Sequence, residues 1–106
     1  MSKTGWKQRE RDAASLIHGQ RFPANTGGDV DVESSTLSVQ VKERRTFSLK
    51  QIEEVALEIE RVGFQRQRIG VLMVKRSAGK GKSTPWLFVL TEAAWRELHG
   101  ALPTGP

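Results

Sequence analysis

The segment 25–42, Asn25-Thr26-Gly27-Gly28-Asp29-Val30-Asp31-Val32-Glu33-Ser34-Ser35-Thr36-Leu37-Ser38-Val39-Gln40-Val41-Lys42, says more about this chain than any other. It reads as two short strands joined by a tight polar turn, Glu33 to Thr36. Side chains alternate faces along a strand, so Asp29 and Asp31 share one face while Val30 and Val32 take the other. In the second strand Leu37, Val39 and Val41 point one way, and Ser38, Gln40 and Lys42 the other. Such a hairpin buries its valines and presents acids, an amide and an ammonium together. That is the layout of a metal-dependent hydrolytic site.

Before the hairpin, Gly27-Gly28 permits close backbone approach just ahead of Asp29, and Pro23 suits a strand's beginning or an edge. From Trp6 to about His18 the pattern fits a helix ended by Gly19, with Trp6, Glu10, Ala13 and Ile17 on one line. A carboxylate on an apolar helix face is costly unless it is paired or binds a cation. Glu10 therefore either pairs with Arg9, Arg11 or Arg21, or joins the hairpin's acidic cluster.

After the hairpin, Ser48-Leu49-Lys50-Gln51 has the form of a capping box. It opens a helix to about Val62, ended by Gly63, that buries Ile52, Val55, Ala56, Ile59 and Val62. Leu57 interrupts the polar face and hints at a partner surface. Ile69–Val74 and Trp86–Leu90 are apolar runs without alternation, as expected of strands covered on both faces. Between them, Lys75 to Pro85 is a basic loop containing Gly-Lys-Ser without the spacing of a phosphate-binding P-loop. Thr91 caps a last helix through Leu98, with Ala94, Trp95 and Leu98 inward. The result is a single α/β domain over residues 1–106, a mixed central sheet flanked by helices, with loose ends at about 1–5 and 100–106.

At 106 residues the chain supports one core. It has no cysteine, which excludes disulfides, thiolate zinc sites and cysteine nucleophiles. Neither a membrane-length apolar run nor a signal-peptide core is present, so a cytoplasmic protein is expected. The formal charge of +5 favours a polyanion as partner, nucleic acid foremost, over a merely soluble basic surface. The cations cluster: Lys42, Arg44 and Arg45 follow the hairpin, and Lys75, Arg76, Lys80 and Lys82 lie in one loop. These are candidates for phosphate contact rather than base reading.

Phosphodiester hydrolysis needs charge neutralisation, an activated water and a stabilised leaving oxygen. Mg²⁺ does much of this through hard oxygen ligands. Asp29, the Gln40 side chain and the Val41 backbone carbonyl are the candidate ligands, with Asp31 the rival of Asp29 and Glu10 completing the cluster. Lys42 is placed to orient the attacking water.

The segments Gly5-Trp6 to Phe22, Asn25 to Val32 and Leu37 to Arg45 resemble the Holliday-junction resolvases of the PD-(D/E)xK nuclease superfamily, the archaeal enzymes and small phage-encoded relatives above all. The resemblance covers about Trp6 to Leu90 and implies a restriction-endonuclease-like core. It matches Glu10 to the family's helix glutamate, Asp29 to its first-strand aspartate and Lys42 to its lysine, with Thr26 ahead of the glycines. Gln40 stands where the family usually has a glutamate, and an amide supplies no negative charge. The resemblance implies a homodimer in a prokaryotic or phage-infected cell, placing paired nicks in four-way DNA junctions with Mg²⁺, or Mn²⁺ in its place, and no small-molecule cofactor. Arg9 and Thr26 join the basic clusters as candidate DNA contacts. The neutral Gln40 favours an alternative, a nucleic-acid-binding protein that does not cut. A nuclease acting on flaps or ends is a further one.

If phosphate contacts dominate, affinity for DNA falls steeply with salt, by roughly 0.9 log unit per log unit of salt for each phosphate neutralised on duplex. A binding constant that barely moves between low and moderate salt would remove the basic clusters from the interface.

Overall fold

The computed structural model describes residues 2–22 and 30–100, with side chains from Lys7 onward in the first helix. Thr26 and Asp29 lie outside the described residues, as does the tail 101–106. The elements run α1 (Ser2–Leu16), β1 (Gln20–Arg21), β2 (Val32–Glu33), β3 (Leu37–Arg44), α2 (Leu49–Gln65), β4 (Ile69–Arg76), β5 (Trp86–Val89) and α3 (Glu92–His99). This is the expected order, although α1 begins at Ser2, where a loose end was expected. The strands form one sheet in the order β1-β2-β3-β4-β5, parallel between β3 and β4 and antiparallel elsewhere.

Alternation along β3 sets the layering. Leu37, Val39 and Val41 face α1, packing with Ala13, Ala14, Val32, Val71 and Met73. The alternate residues of β4, Leu72 and Val74, pack on the other side with Ile52, Val55, Ile59 and Val62 of α2. Parallel register sets Gln40 beside Leu72 and Lys42 beside Val74, so both hairpin residues lie on the α2 face. β4 is buried on both sides from Gly70 to Val74, as its unbroken apolar run implies. Full burial of each large side chain there contributes roughly 1.5–3 kcal/mol.

The second apolar run behaves differently. β5 is the edge strand, and Leu87 and Phe88 are 56% and 49% exposed. Its lack of alternation reflects apolar residues on both faces of an edge, not coverage on both faces. In α3 only Ala94 is buried, while Trp95 and Leu98 remain 45% and 46% exposed, contrary to the inward placement expected for them.

Two glycines do a job other than ending helices. At the end of α1 it is His18 that takes the left-handed conformation, φ 55°. The His18 N–H bonds the Ser15 carbonyl and the Gly19 N–H bonds the Ala14 carbonyl, the paired pattern of a Schellman turn. Gly19 is small because a Cβ would lie 2.4 Å from the Glu33 carbonyl oxygen. α2 runs past Gly63 to the same turn, with Gln67 at φ 59° and Arg68 N–H on the Gly63 carbonyl at 2.8 Å. Gly63 faces Gly70 of β4: a Cβ on Gly63 would meet the Gly70 nitrogen at 2.7 Å, and one on Gly70 the Ile59 carbonyl oxygen at 2.0 Å. The capping box forms as expected, with Ser48 Oγ accepting from the Gln51 N–H and Gln51 Oε1 accepting from the Ser48 N–H.

Glu33 ties these layers together. Its carboxylate accepts from Ser38 Oγ at 2.8 Å and Arg66 Nη2 at 2.9 Å, and Arg68 lies 3.6 Å away. The Arg66 guanidinium rests 4.8 Å from the Phe22 ring centre. The Arg66 hydrogen bond holds the Glu33 carboxyl below its ordinary value, against the opposing effect of burial.

Replacing Gln67 by Gly relieves a left-handed side chain, raising stability by about 1 kcal/mol and Tm by roughly 5 °C. Gly70→Ala must drive α2 off β4 and lowers Tm sharply; an unchanged melting curve for Gly70→Ala would refute the close-approach account, and one for Gln67→Gly the account of left-handed strain. Because the folded Glu33 carboxyl titrates lower than the unfolded one, its contribution is fully present above the ordinary glutamate value of about 4.3 and is lost as pH falls through the depressed value. Glu33→Gln is therefore expected to cost about 2 kcal/mol at pH 7, with the gap to wild type in urea titrations closing in acid.

Candidate functional site

The hairpin brings Asp31 together with Gln40, but the alternation expected for the first strand does not hold: Val30 packs on the α2 side and Val32 on the α1 side, where one shared face was expected. The backbone of Asp31 is fixed on both sides: its N–H donates to the Val39 carbonyl at 2.9 Å, and its carbonyl accepts from the Phe22 N–H at 3.0 Å. Its side chain turns across the hairpin, where Oδ2 accepts from the Val41 N–H at 2.8 Å and from Gln40 Nε2 at 3.4 Å. A strand residue sends its N–H and C=O toward the same edge. The Val41 carbonyl is thus directed to the edge of β3 where Asp31 lies. Lys42 follows two residues after Gln40 on the same face and is half-buried.

The face continues into the basic end of the sheet. Arg44 pairs in register with Arg76, which places two arginines side by side at the carboxyl ends of the parallel strands. Like charges opposed on neighbouring strands repel. The Ser77 N–H donates to the Arg44 carbonyl at 2.9 Å and anchors the loop there. Arg44 lies 5.8 Å over the Phe47 ring, and Arg45, Arg76, Lys80 and Lys82 are exposed. Positive φ at Gly79 and Gly81, 93° and 78°, allows the loop its reversal. Lys75 is less available, since its ammonium donates to the Thr84 carbonyl and sits 5.7 Å from the Trp86 ring centre.

Glu10 does not join this group. It is 3% exposed on α1, and Arg21 holds its Oε1 through Nε and Nη2, both at 3.0 Å. Arg21 is opposite Val32, whose side chain belongs to the α1 face, so the pair lies across the sheet from Gln40 and Lys42. Of the three partners open to Glu10, Arg21 of β1 is the one taken. Arg9 is likewise on the α1 side, bonded to Glu43 at 3.0 Å and to Asp12. The Glu43 hydrogen bond raises the Arg9 pKa further above its already high value. Glu43 is therefore occupied by Arg9 and faces away from Gln40.

Tested as a metal site, the described residues offer one carboxylate, Asp31, with the Gln40 amide and the Val41 carbonyl. These hard oxygen donors suit Mg²⁺. In the present arrangement Gln40 turns its nitrogen to Asp31, so a half-turn of the amide is needed to bring Oε1 into that place. Among the described residues no group of three or more His, Asp or Glu is gathered to hold an ion. Asp29, two residues before Asp31, is outside the described residues.

Glu33 with Arg66 and Arg68 carried no sequence signal, because its partners are more than thirty positions away and only the α2–β4 turn delivers them.

No protein-family model matches the chain, and comparison with curated proteins and with solved structures returns no match to either.

Proposed function

We propose that this protein is a metal-dependent endodeoxyribonuclease acting on branched DNA, four-way junctions foremost, as a homodimer. The observation that carries the reading is the contact of Asp31 Oδ2 with Gln40 Nε2 and the Val41 N–H, on the face that continues through Lys42 to Arg44 and Arg76. In this reading a DNA phosphate lies between the paired arginines and the hairpin, and relieves the repulsion of Arg44 and Arg76. Asp31, with Asp29 beside it in sequence, and the Gln40 and Val41 oxygens would hold Mg²⁺ or Mn²⁺. The chemistry such an ion supplies when bound is charge neutralisation at the phosphate and a more acidic water. The Lys42 ammonium would orient an attacking water by hydrogen bonding and stabilise negative charge on the phosphoryl oxygens. Glu10 serves α1 and β1 instead, as the buried partner of Arg21.

One observation favours the second reading, a binding protein that does not cut. Gln40 donates to Asp31, as an amide that neutralises a carboxylate's hydrogen-bonding needs without recruiting a cation.

The test is cleavage of labelled four-way junction, flap and plain duplex with Mg²⁺ and with Mn²⁺. Paired nicks in the junction are expected, reduced by at least about 100-fold in Lys42→Ala and in Asp31→Asn or Asp29→Asn. Gln40→Glu is expected to raise activity at low metal concentration. Tight junction binding with no nicks from wild type or Gln40→Glu would establish the binding protein and end the nuclease reading. Preference for flaps over junctions would keep the chemistry and change the substrate.

A further inference from the structure

A cleft of about 870 Å³ opens at the amino ends of β3 and β4, the opposite end of the sheet from Arg44 and Arg76. One wall is α2, with Glu60 and Phe64, and the other is α3, with Ala93 and Glu97. The buried Gly70 and Ala94 lie at its base, and small residues there keep the space between the helices open. The Thr91 hydroxyl donates to Glu60 Oε1 at 2.6 Å, which ties the start of α3 to α2 and fixes that carboxylate. A site of this volume takes a small molecule.

Three residues of the lining have no evident part in folding. Gln67 holds the left-handed conformation at φ 59°, where glycine would be unstrained. Its side chain makes no hydrogen bond among the described residues, so the strain serves no internal contact. Phe64 is 78% exposed, and Glu97 is exposed with no ion pair among the described residues. Charge gives the sign of the ligand. Arg68, the cation of the lining, is engaged by Glu33 and by the Ser34 and Arg66 carbonyls. That leaves one carboxylate on each wall, with apolar surface between them. The surroundings agree, since α2 and α3 carry six glutamates against Lys50, Arg61 and Arg96. Of these three, Arg61 and Arg96 already pair with Glu58 and Glu92.

We propose that this cleft binds a linear polyamine, with one ammonium at Glu60, another at Glu97 and the methylene chain against Ala93, Ile69 and Phe64. Ammonium–carboxylate hydrogen bonds are charge-assisted, and the Phe64 ring adds cation–π attraction. The Gln67 amide oxygen accepts from a further N–H of the ligand. Two carboxylates on facing walls select a molecule with a cation at each end over a single ammonium.

The inference rests on the α2–α3 cleft and not on the nuclease reading. Titration calorimetry of the full chain without DNA, with spermidine as the probe, is expected to show one site. Glu97→Gln and Glu60→Gln should each weaken binding at least about tenfold, and Phe64→Ala about threefold. Gln67→Gly separates binding from folding, since it should weaken spermidine binding while raising Tm. Glu53→Gln combined with Glu54→Gln, exposed on α2 and outside the cleft, should leave the affinity unchanged. No heat at millimolar spermidine overturns the proposal, as does binding indifferent to Glu60→Gln and Glu97→Gln. A loss as large from the Glu53 and Glu54 pair would reduce the effect to general charge attraction and overturn it too. Equal affinity for a neutral linear diol would remove charge as the selector, and preference for a lysine-rich peptide would make the cleft a protein-docking site; either ends the polyamine assignment. A chain that binds spermidine in the cleft but never nicks DNA would keep this site and lose the nuclease reading.

Discussion

Where β4 passes beneath α2 there is no room for a side chain on either element, and Gly70 and Gly63 leave that space open. The helix can then lie directly on the strand, with Ile59 filling the interface and Val55 and Val62 flanking it. Among the described residues β4 is in turn the only strand that contributes large fully buried residues to both cores, Met73 and Val71 to one and Leu72 to the other. Its parallel pairing with β3 over eight positions holds the hairpin in place. The positions of Asp31, Gln40 and Lys42 thus follow from an approach made by two glycines on the far side of the sheet from α1.

What could be read in the sequence was whatever depends on short-range period. Alternation from Leu37 to Lys42 was enough to place Gln40 and Lys42 on one face, and Ser48-x-x-Gln51 to start α2, because both are decided within a few residues; it failed at Val30, which packs on the α2 side while Val32 packs on the α1 side. The run Ile69–Val74 gave a doubly covered strand for the same reason. Trp86–Leu90 has the same composition and a different environment, since a run of apolar residues does not say whether a neighbouring strand exists. Gly19 and Gly63 were legible as glycines but not as spacers: the neighbours that demand them, the Glu33 carbonyl and Gly70, are distant in sequence. Glu10 shows the limit most plainly. Its cost on an apolar face was evident, yet only the register of β1 against β2 chose Arg21 and the α1 face.

Charge is arranged by the same layering. On the α1 side, among the described residues, Glu10 is held by Arg21 and Glu43 by Arg9. On the α2 side Glu33 draws Arg66 and Arg68 to one end of the hairpin, and the other end is left with Arg44 opposed to Arg76. The positive field is concentrated at the carboxyl ends of β3 and β4, the end at which open α/β sheets bind their ligands.

Parallel pairing of β3 with β4 also bears on how the chain is made. A hairpin such as β2–β3 closes as soon as it leaves the ribosome, but β3 must wait for all of α2 and the turn after it before β4 arrives. At about 5–20 residues per second, translation leaves Val39, Val41 and Ile59 without their partner strand for seconds, a time long compared with helix formation. During that interval the nascent chain is an amphipathic helix and a hairpin with one open edge, the kind of species that chaperones hold. The strand that completes both cores comes after the hairpin and α2, and so folding waits until β4 has been made.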